Sequence, residues 1–243
     1  EAANASETDK LGLARVLVED GELEAAQMVL EHLVAASPES AEAHGRLGLL
    51  LSKKDEFEDA TRQLGRAVQL APEVAEYSLG LAEVLLLWNR SPTALEFLMA
   101  VKPRFEKLPE FRYKLALAHF ALHRYEQAVE VLEGLAREHP ELDLVQFFLG
   151  NSYFSMGDLK RAEASYRKAI EMNPRKASYY PPLGQLLRTQ GGERTDEAIR
   201  YLQTALELDP SDVPSKIQLA LCYVEKQRLR EGQVLLEDVT RTQ

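Results

Sequence analysis

Few residues in this chain have the types and spacing that chemistry requires. His119 and His123 stand four apart, so on a helix they share one face and could offer two imidazoles to a metal ion. No Glu follows the first of them, so the helical zinc-protease arrangement, in which that Glu acts as base, is absent. Cys222 is the single cysteine, which excludes an internal disulfide and any multi-cysteine zinc or iron–sulfur centre. No phosphate-cradling glycine loop, nucleophile elbow or dinucleotide fingerprint is present. Acids such as Glu56, Glu58 and Asp59 fit the solvated starts of helices, where negative charge complements the dipole. Lys160, Arg161, Arg167, Lys168, Arg175 and Lys176 form a basic cluster of the kind an acidic partner or RNA would need. Asp158, Glu163 and Glu171 dilute it, and only Tyr166 interleaves an aromatic ring, so a solvated outer face is the simpler reading. The expectation is therefore no catalytic residue, no cofactor and no metal ligand. His119, His123 and Cys222 are assigned to packing and turn positions.

Composition agrees. The 243 residues are 45% hydrophobic and 28% charged, a soluble and ordered balance. The net charge is −10, which disfavours a generic DNA binder or an anionic-membrane binder, since both need basic surface. Most of that charge lies in residues 1–72, which hold 14 acids against 7 bases. No apolar run is long enough to span a membrane. The chain has no initiator Met and no apolar signal core, and reads as a mature or excised piece with a polar lead-in over residues 1–6. Cytoplasmic and bacterial periplasmic or secreted locations both fit.

The elements that would position any functional residue emerge from a repeat. Pro38 and Pro72 are 34 residues apart, Pro72 and Pro140 twice that, and Pro140 and Pro174 again 34. Pro174 to Pro210 is 36, with the excess visible at Gly191-Gly192-Glu193-Arg194. Repeats then run 7–40, 41–74, 75–108, 109–142, 143–176, 177–212 and 213–243. Columns that did not define this register agree in every row. Position 7 is Leu13, Leu47, Leu81, Leu115, Leu149, Leu183 and Leu219. Position 8 is always Ala or Gly, position 20 is Ala in six rows and Gly232 in the seventh, and position 24 is Leu or Tyr166.

This pattern resembles the tetratricopeptide repeat family, most clearly in the fifth repeat with Leu149, Gly150, Tyr153, Ala162, Tyr166, Ala169 and Pro174. The resemblance covers residues 7–243 and implies an all-α fold, a right-handed superhelix of about seven antiparallel helix pairs, A and B. Small residues at positions 8 and 20 would let the two backbones approach, with the large residues at 7 and 24 filling the space beside them. Position 15 (Gly21, Asp55, Asn89, His123, Gly157, Gly191, Gln227) would end helix A in the left-handed region, and the proline at 32 would end helix B.

Three departures carry expectations. In repeat three, Ser91-Pro92 reads as an N-cap and first turn, and helix B should stop near Val101, leaving residues 102–108 as an irregular loop. In repeat six, Tyr179-Tyr180-Pro181-Pro182 should delay helix A to about Pro181 after an extended segment. The last repeat stops three residues short with no polar cap. Val234, Leu235 and Val239 should then be partly uncovered, so either the parent protein continues or this C-terminal repeat contacts another molecule.

In the family resembled, helix A lines the concave groove and offers positions 2, 5, 9, 12 and 13 to a partner. Here these include Tyr113, Leu117 and Phe120 in repeat four, Phe147, Asn151 and Phe154 in repeat five, and Gln185 and Arg188 in repeat six, beside Pro181. Apolar side chains bordered by polar ones mark partner sites, and the Asn151 amide suits a peptide backbone because it both donates and accepts. The competing reading packs Phe147 and Phe154 on neighbouring helices. The N-terminal groove positions, among them Arg15, Glu42, Arg46, Glu76 and Glu83, read as a mixed-charge surface. No three successive repeats carry the family's carboxylate clamp. The implied function is a non-catalytic scaffold binding a protein or peptide. The alternatives are a targeting or regulatory segment of a larger enzyme or assembly, and a self-associating scaffold.

Overall fold

The computed structural model describes residues 6–241, so residues 1–5 of the lead-in and the last two residues of repeat seven lie outside the described residues. Contacts divide the chain into two compact units, one up to His123 and one from Arg124. Among the described residues all regular structure is helical. The first unit holds α1 (Glu7–Glu19), α2 (Leu23–Ala36), α3 (Ala41–Lys53), α4 (Phe57–Leu70), α5 (Ala75–Leu87), α6 (Ser91–Phe105) and α7 (Pro109–Ala121). The second holds α8 (Tyr125–Glu138), α9 (Asp143–Ser155), α10 (Leu159–Met172), α11 (Tyr180–Gln190), α12 (Glu193–Leu208), α13 (Val213–Glu225) and α14 (Leu229–Arg241). In the first unit α1/α2, α3/α4 and α5/α6 pair, and α2, α4 and α6 each pack on the helix that follows. In the second, α9/α10, α11/α12 and α13/α14 pair, with α8 on α9, α10 on α11 and α12 on α13.

The turn chemistry explains the element lengths. Gly21, Asp55, Asn89, His123, Gly157, Gly191 and Gln227 all adopt positive φ, between 56° and 82°. Each is the position-15 residue of its repeat. At five of these turns the next amide donates back across the helix end, as from Glu22 to Leu17 (2.8 Å), Asp158 to Tyr153 (2.9 Å) and Arg228 to Tyr223 (2.8 Å), which satisfies carbonyls the helix leaves open. The B helices stop differently. Ser37, Ala71, His139, Asn173 and Asp209 each precede proline and sit at φ between −139° and −130°, pushed out of the helical region by the pyrrolidine ring.

Packing follows the small–large columns. Ala26, Ala60, Ala94, Ala128, Ala162 and Ala198 have no exposed surface. At Gly150 the approach is closer still, because a Cβ there would meet the Tyr166 ring at 2.4 Å. The large columns are buried except at their ends. Leu13 is 51% exposed and Leu236 is 40% exposed, whereas Leu47, Leu64 and Leu98 are buried.

Two local expectations are corrected. Helix α6 does not stop near Val101; it runs to Phe105 with Pro103 inside its last turn. Phe105 is buried and lies 6.5 Å from the Phe111 ring, and Val101 is also buried, so apolar burial holds the turn that proline weakens. Ser91 is the first helical residue and is buried, and Arg90 occupies the cap. In repeat six α11 does start late, at Tyr180, but the segment before it is a 3-10 turn, Ala177–Tyr179, rather than extended chain. Tyr180 is helical despite preceding proline (φ −78°, ψ −42°). Its hydroxyl donates to the Pro174 carbonyl at 2.7 Å, and Tyr179 is buried against Phe147, so side-chain anchoring overrides the local preference.

Candidate functional site

The A helices carry the expected binding positions, and the two units are best taken separately. In the second unit Phe147, Asn151 and Phe154 lie on α9, four and three residues apart, so they share one helix face. All three are half-buried. Phe147 stacks on Tyr179 with ring centroids 4.8 Å apart and meets Phe148 edge-on at 5.4 Å, so part of its surface belongs to the packing between hairpins. Tyr166, buried on α10, donates its hydroxyl to Asn151 Oδ1 at 2.9 Å. Burial raises the Tyr166 pKa, which keeps that hydroxyl a donor. The bond orients the Asn151 amide, and its Nδ2 donors have no hydrogen bond among the described residues. Gln185 and Arg188 lie on α11 and are also half-buried. Arg188 donates from Nη1 to Glu225 Oε1 of α13 at 2.5 Å, while its buried Nε lacks a hydrogen-bond partner among the described residues. Asn151 is thus positioned by its own hairpin, and Arg188 by the next A helix. Pro181 is buried and belongs to the core.

Tyr113, Leu117 and Phe120 lie on α7 of the first unit and are half-buried. Burial and the neighbouring Glu83 carboxylate push the Tyr113 phenol up to about 12. Lys114 Nζ, itself largely buried, reaches Glu83 at 2.9 Å. Glu83 also lines a cavity of about 330 Å³ whose walls come from α1, α2, α3 and α5. The charged-column reading of Arg15, Arg46 and Glu83 missed this cavity. The clue was Gly80, which stands where repeat two has Arg46 and repeat four has Lys114.

The remaining candidates resolve into structure. Cys222 is fully buried, and burial pushes its thiol up to about 11, the opposite of an activated nucleophile. Among the described residues no group of three or more His, Cys, Asp or Glu is disposed to hold a metal ion. In the basic cluster of repeat five Lys160, Arg161, Lys168, Arg175 and Lys176 are exposed, as a solvated outer face requires, and Arg167 is the exception. Arg167 is half-buried and binds Glu163 (2.9 Å), Glu197 (2.6 Å) and the Tyr201 hydroxyl (2.8 Å). Arg194 joins both acids, so this network ties α10 to α12. At the last hairpin Val234 is 64% exposed and Leu229 57%, but Val239, expected to be uncovered, is buried. No described helix is long and apolar enough to cross a membrane.

Tandem helical hairpins with a conserved small–large register define a helical repeat protein with a side-chain-lined A-helix face. Two family models, both described as Tetratricopeptide repeat, match this chain, one over residues 11–60, 46–109, 113–181 and 147–213 and the other over 191–243, and the chain belongs to that family. It is 26% identical over 231 residues to the cytochrome c-type biogenesis protein CycH of Pseudomonas aeruginosa, covering 93% of this chain and 52% of that protein. It is 25% identical over 220 residues to the peroxisomal targeting signal receptor of Saccharomyces cerevisiae, covering 85% of this chain and 35% of that one. The chain therefore spans about a third to a half of these relatives' length. A solved tetratricopeptide repeat protein from Parabacteroides merdae superposes with a TM-score of 0.80 at 11% identity, over 97% of this chain and 92% of that one, a likeness of fold. This fold is typical of protein–protein interaction scaffolds, and proteins of the family bind protein or peptide partners.

Proposed function

We propose that the chain is a non-catalytic scaffold that binds a segment of a protein partner along its A-helix faces, as one part of a larger protein or assembly. The observation that carries this is Asn151. Its carbonyl is held by the Tyr166 hydroxyl, its amide donors have no hydrogen bond among the described residues, and half-exposed Phe147 and Phe154 flank it on the same face. That is a backbone-reading group between two apolar contacts. Gln185 and Arg188 would extend the surface along the second unit, and Tyr113, Leu117 and Phe120 supply the same kinds of side chain on the first. The relatives support the reading in kind: one is by name a receptor for a targeting signal. Their greater length supports a further domain beside this one.

The test uses linear peptides selected from a display library against the whole chain. Phe154→Ala and Asn151→Ala should each weaken a peptide bound on the second unit by roughly tenfold, the usual effect of truncating an interface anchor. Phe147→Ala should cost less binding, because Tyr179 already uses part of that ring. Affinity unchanged in all three variants would remove the site assignment.

A further inference from the structure

The cavity of the first unit has a chemistry of its own. Its floor is apolar, lined by Leu49 and Leu50 of α3 and Leu30 of α2. Gly80 keeps it open, since a Cβ there would meet Leu49 at 2.8 Å and any larger side chain would occupy the space. Its rim is cationic: Arg15 from α1 and Arg46 and Lys53 from α3 stand against Glu83 alone. Glu83 is already matched by Lys114. Among the described residues Arg46 and Arg15 make only same-helix ion pairs with exposed acids, Glu42 at 2.7 Å and Glu19 at 3.9 Å, of the kind worth little in water. Lys53 is exposed. The sign of this rim is opposite to that of the surrounding sequence, where acids outnumber bases two to one.

We propose that this cavity binds an internal segment of a partner protein in which one apolar side chain is flanked by two acidic ones about three residues apart. The volume admits one large aliphatic or aromatic side chain. The spacing follows from the rim. Arg46 and Lys53 are seven residues apart on one helix, two turns, so they share a face about 10.5 Å apart along the axis. A segment in the polyproline-II conformation advances about 3.1 Å per residue and repeats its side-chain direction every third residue, so carboxylates three residues apart point the same way and meet both. A single C-terminal carboxylate cannot span that distance, which separates this chemistry from recognition of a chain end. The acidic surroundings do not cancel the attraction, because screening confines interactions between exposed charges to about 8–10 Å at physiological salt.

This site rests on the reading that the A-helix face is a binding surface. The same library therefore tests it with variants of both units. Peptides are displayed inside a carrier loop, and in a second arm with a free C-terminus. The expected result is enrichment of loop-displayed peptides that pair an apolar residue with acids three apart. Their affinity should fall at least about tenfold in the Arg46→Glu/Lys53→Glu double variant, fall with added salt, and stay unchanged in Asn151→Ala. Replacing the peptide's acids with Gln, or its apolar residue with Ala, should each weaken binding. Basic or uncharged consensus peptides, binding that requires a free C-terminus, indifference to the double charge reversal, or no enrichment would each overturn the proposal. Peptides lost only in Asn151→Ala would overturn it while leaving the wider groove reading in place.

Discussion

Gly150→Ala separates packing geometry from helix propensity. In an exposed helix interior, exchanging Gly for Ala stabilises by about 0.5–1 kcal/mol, because the unfolded chain loses freedom. At Gly150 the new methyl would lie 2.4 Å from Cδ1 and 2.5 Å from Cε1 of Tyr166. That ring is rigid, 1% exposed, and pinned through its hydroxyl to Asn151, so it has little room to move. Overpacking of this kind costs about 1–3 kcal/mol, and so tight a contact belongs in the upper half of that range. The net expectation is a loss of about 1–2.5 kcal/mol. Urea unfolding gives the total, and hydrogen exchange in α9 and α10 localises it, since neighbour-coupled repeats open regionally. Two companions complete the test. Gly65→Ala, with open space around its Cβ, should stabilise by about 0.5–1 kcal/mol. Gly150→Ala combined with Tyr166→Leu recreates the Ala–Leu pairing of Ala14/Leu30 and Ala82/Leu98, and should recover most of the loss. If Gly150→Ala stabilises as Gly65→Ala does, or the double variant recovers nothing, the small–large account of the hairpin is wrong.

Burial, rather than repeat position, should govern the leucine column: Leu64→Ala, at 0% exposure, should cost about 2–5 kcal/mol by chemical denaturation, and Leu236→Ala, at 40%, under about 1 kcal/mol. Glu163 gives a pH signature. Burial alone would raise its pKa, but hydrogen bonds from Arg194 and Arg167 outweigh it and leave the carboxyl below its usual 4.5. A lowered folded-state pKa means stability that is present above about pH 4.5 and lost as pH falls through the folded value. Exchange protection in α10 and α12 should therefore drop on acidification through that window, and Glu163→Gln should flatten the dependence. Cys222 should react slowly with thiol reagents at pH 8 in the native chain and rapidly in denaturant, because burial holds the thiol up at about 11; fast native labelling would contradict its placement.

The repeat was readable because it is a one-dimensional pattern with strict steric demands. The residue type at position 15 predicts left-handed backbone, and even Gln227 and His123, poor candidates singly, adopt it because the same tight turn ends helix A at that position of every repeat. The Ala column is legible for the same reason. Local rules failed where a large side chain anchors a disfavoured turn. Phe105 carries α6 past Pro103, and Tyr179 and Tyr180 hold a helical start in front of Pro181. The binding face was legible as positions and only partly as chemistry. No periodicity shows that Phe147 stacks on Tyr179 or that Arg188 reaches Glu225, since those partners lie 32 and 37 residues away. The first-unit cavity went unread for a different reason: its one clue is the side chain that Gly80 lacks, which gains meaning only when three A helices surround it.

A partner segment lying on the A helices would shield their exposed faces. Amide hydrogen exchange of the whole chain, with and without a saturating library-selected peptide, tests this placement most directly. Added protection is expected in α3 and α5 or in α9 and α11, according to which unit the peptide occupies, with the B helices α4, α6, α10 and α12 unchanged. Protection concentrated on the B helices, or confined to the exposed face of α14, would contradict it.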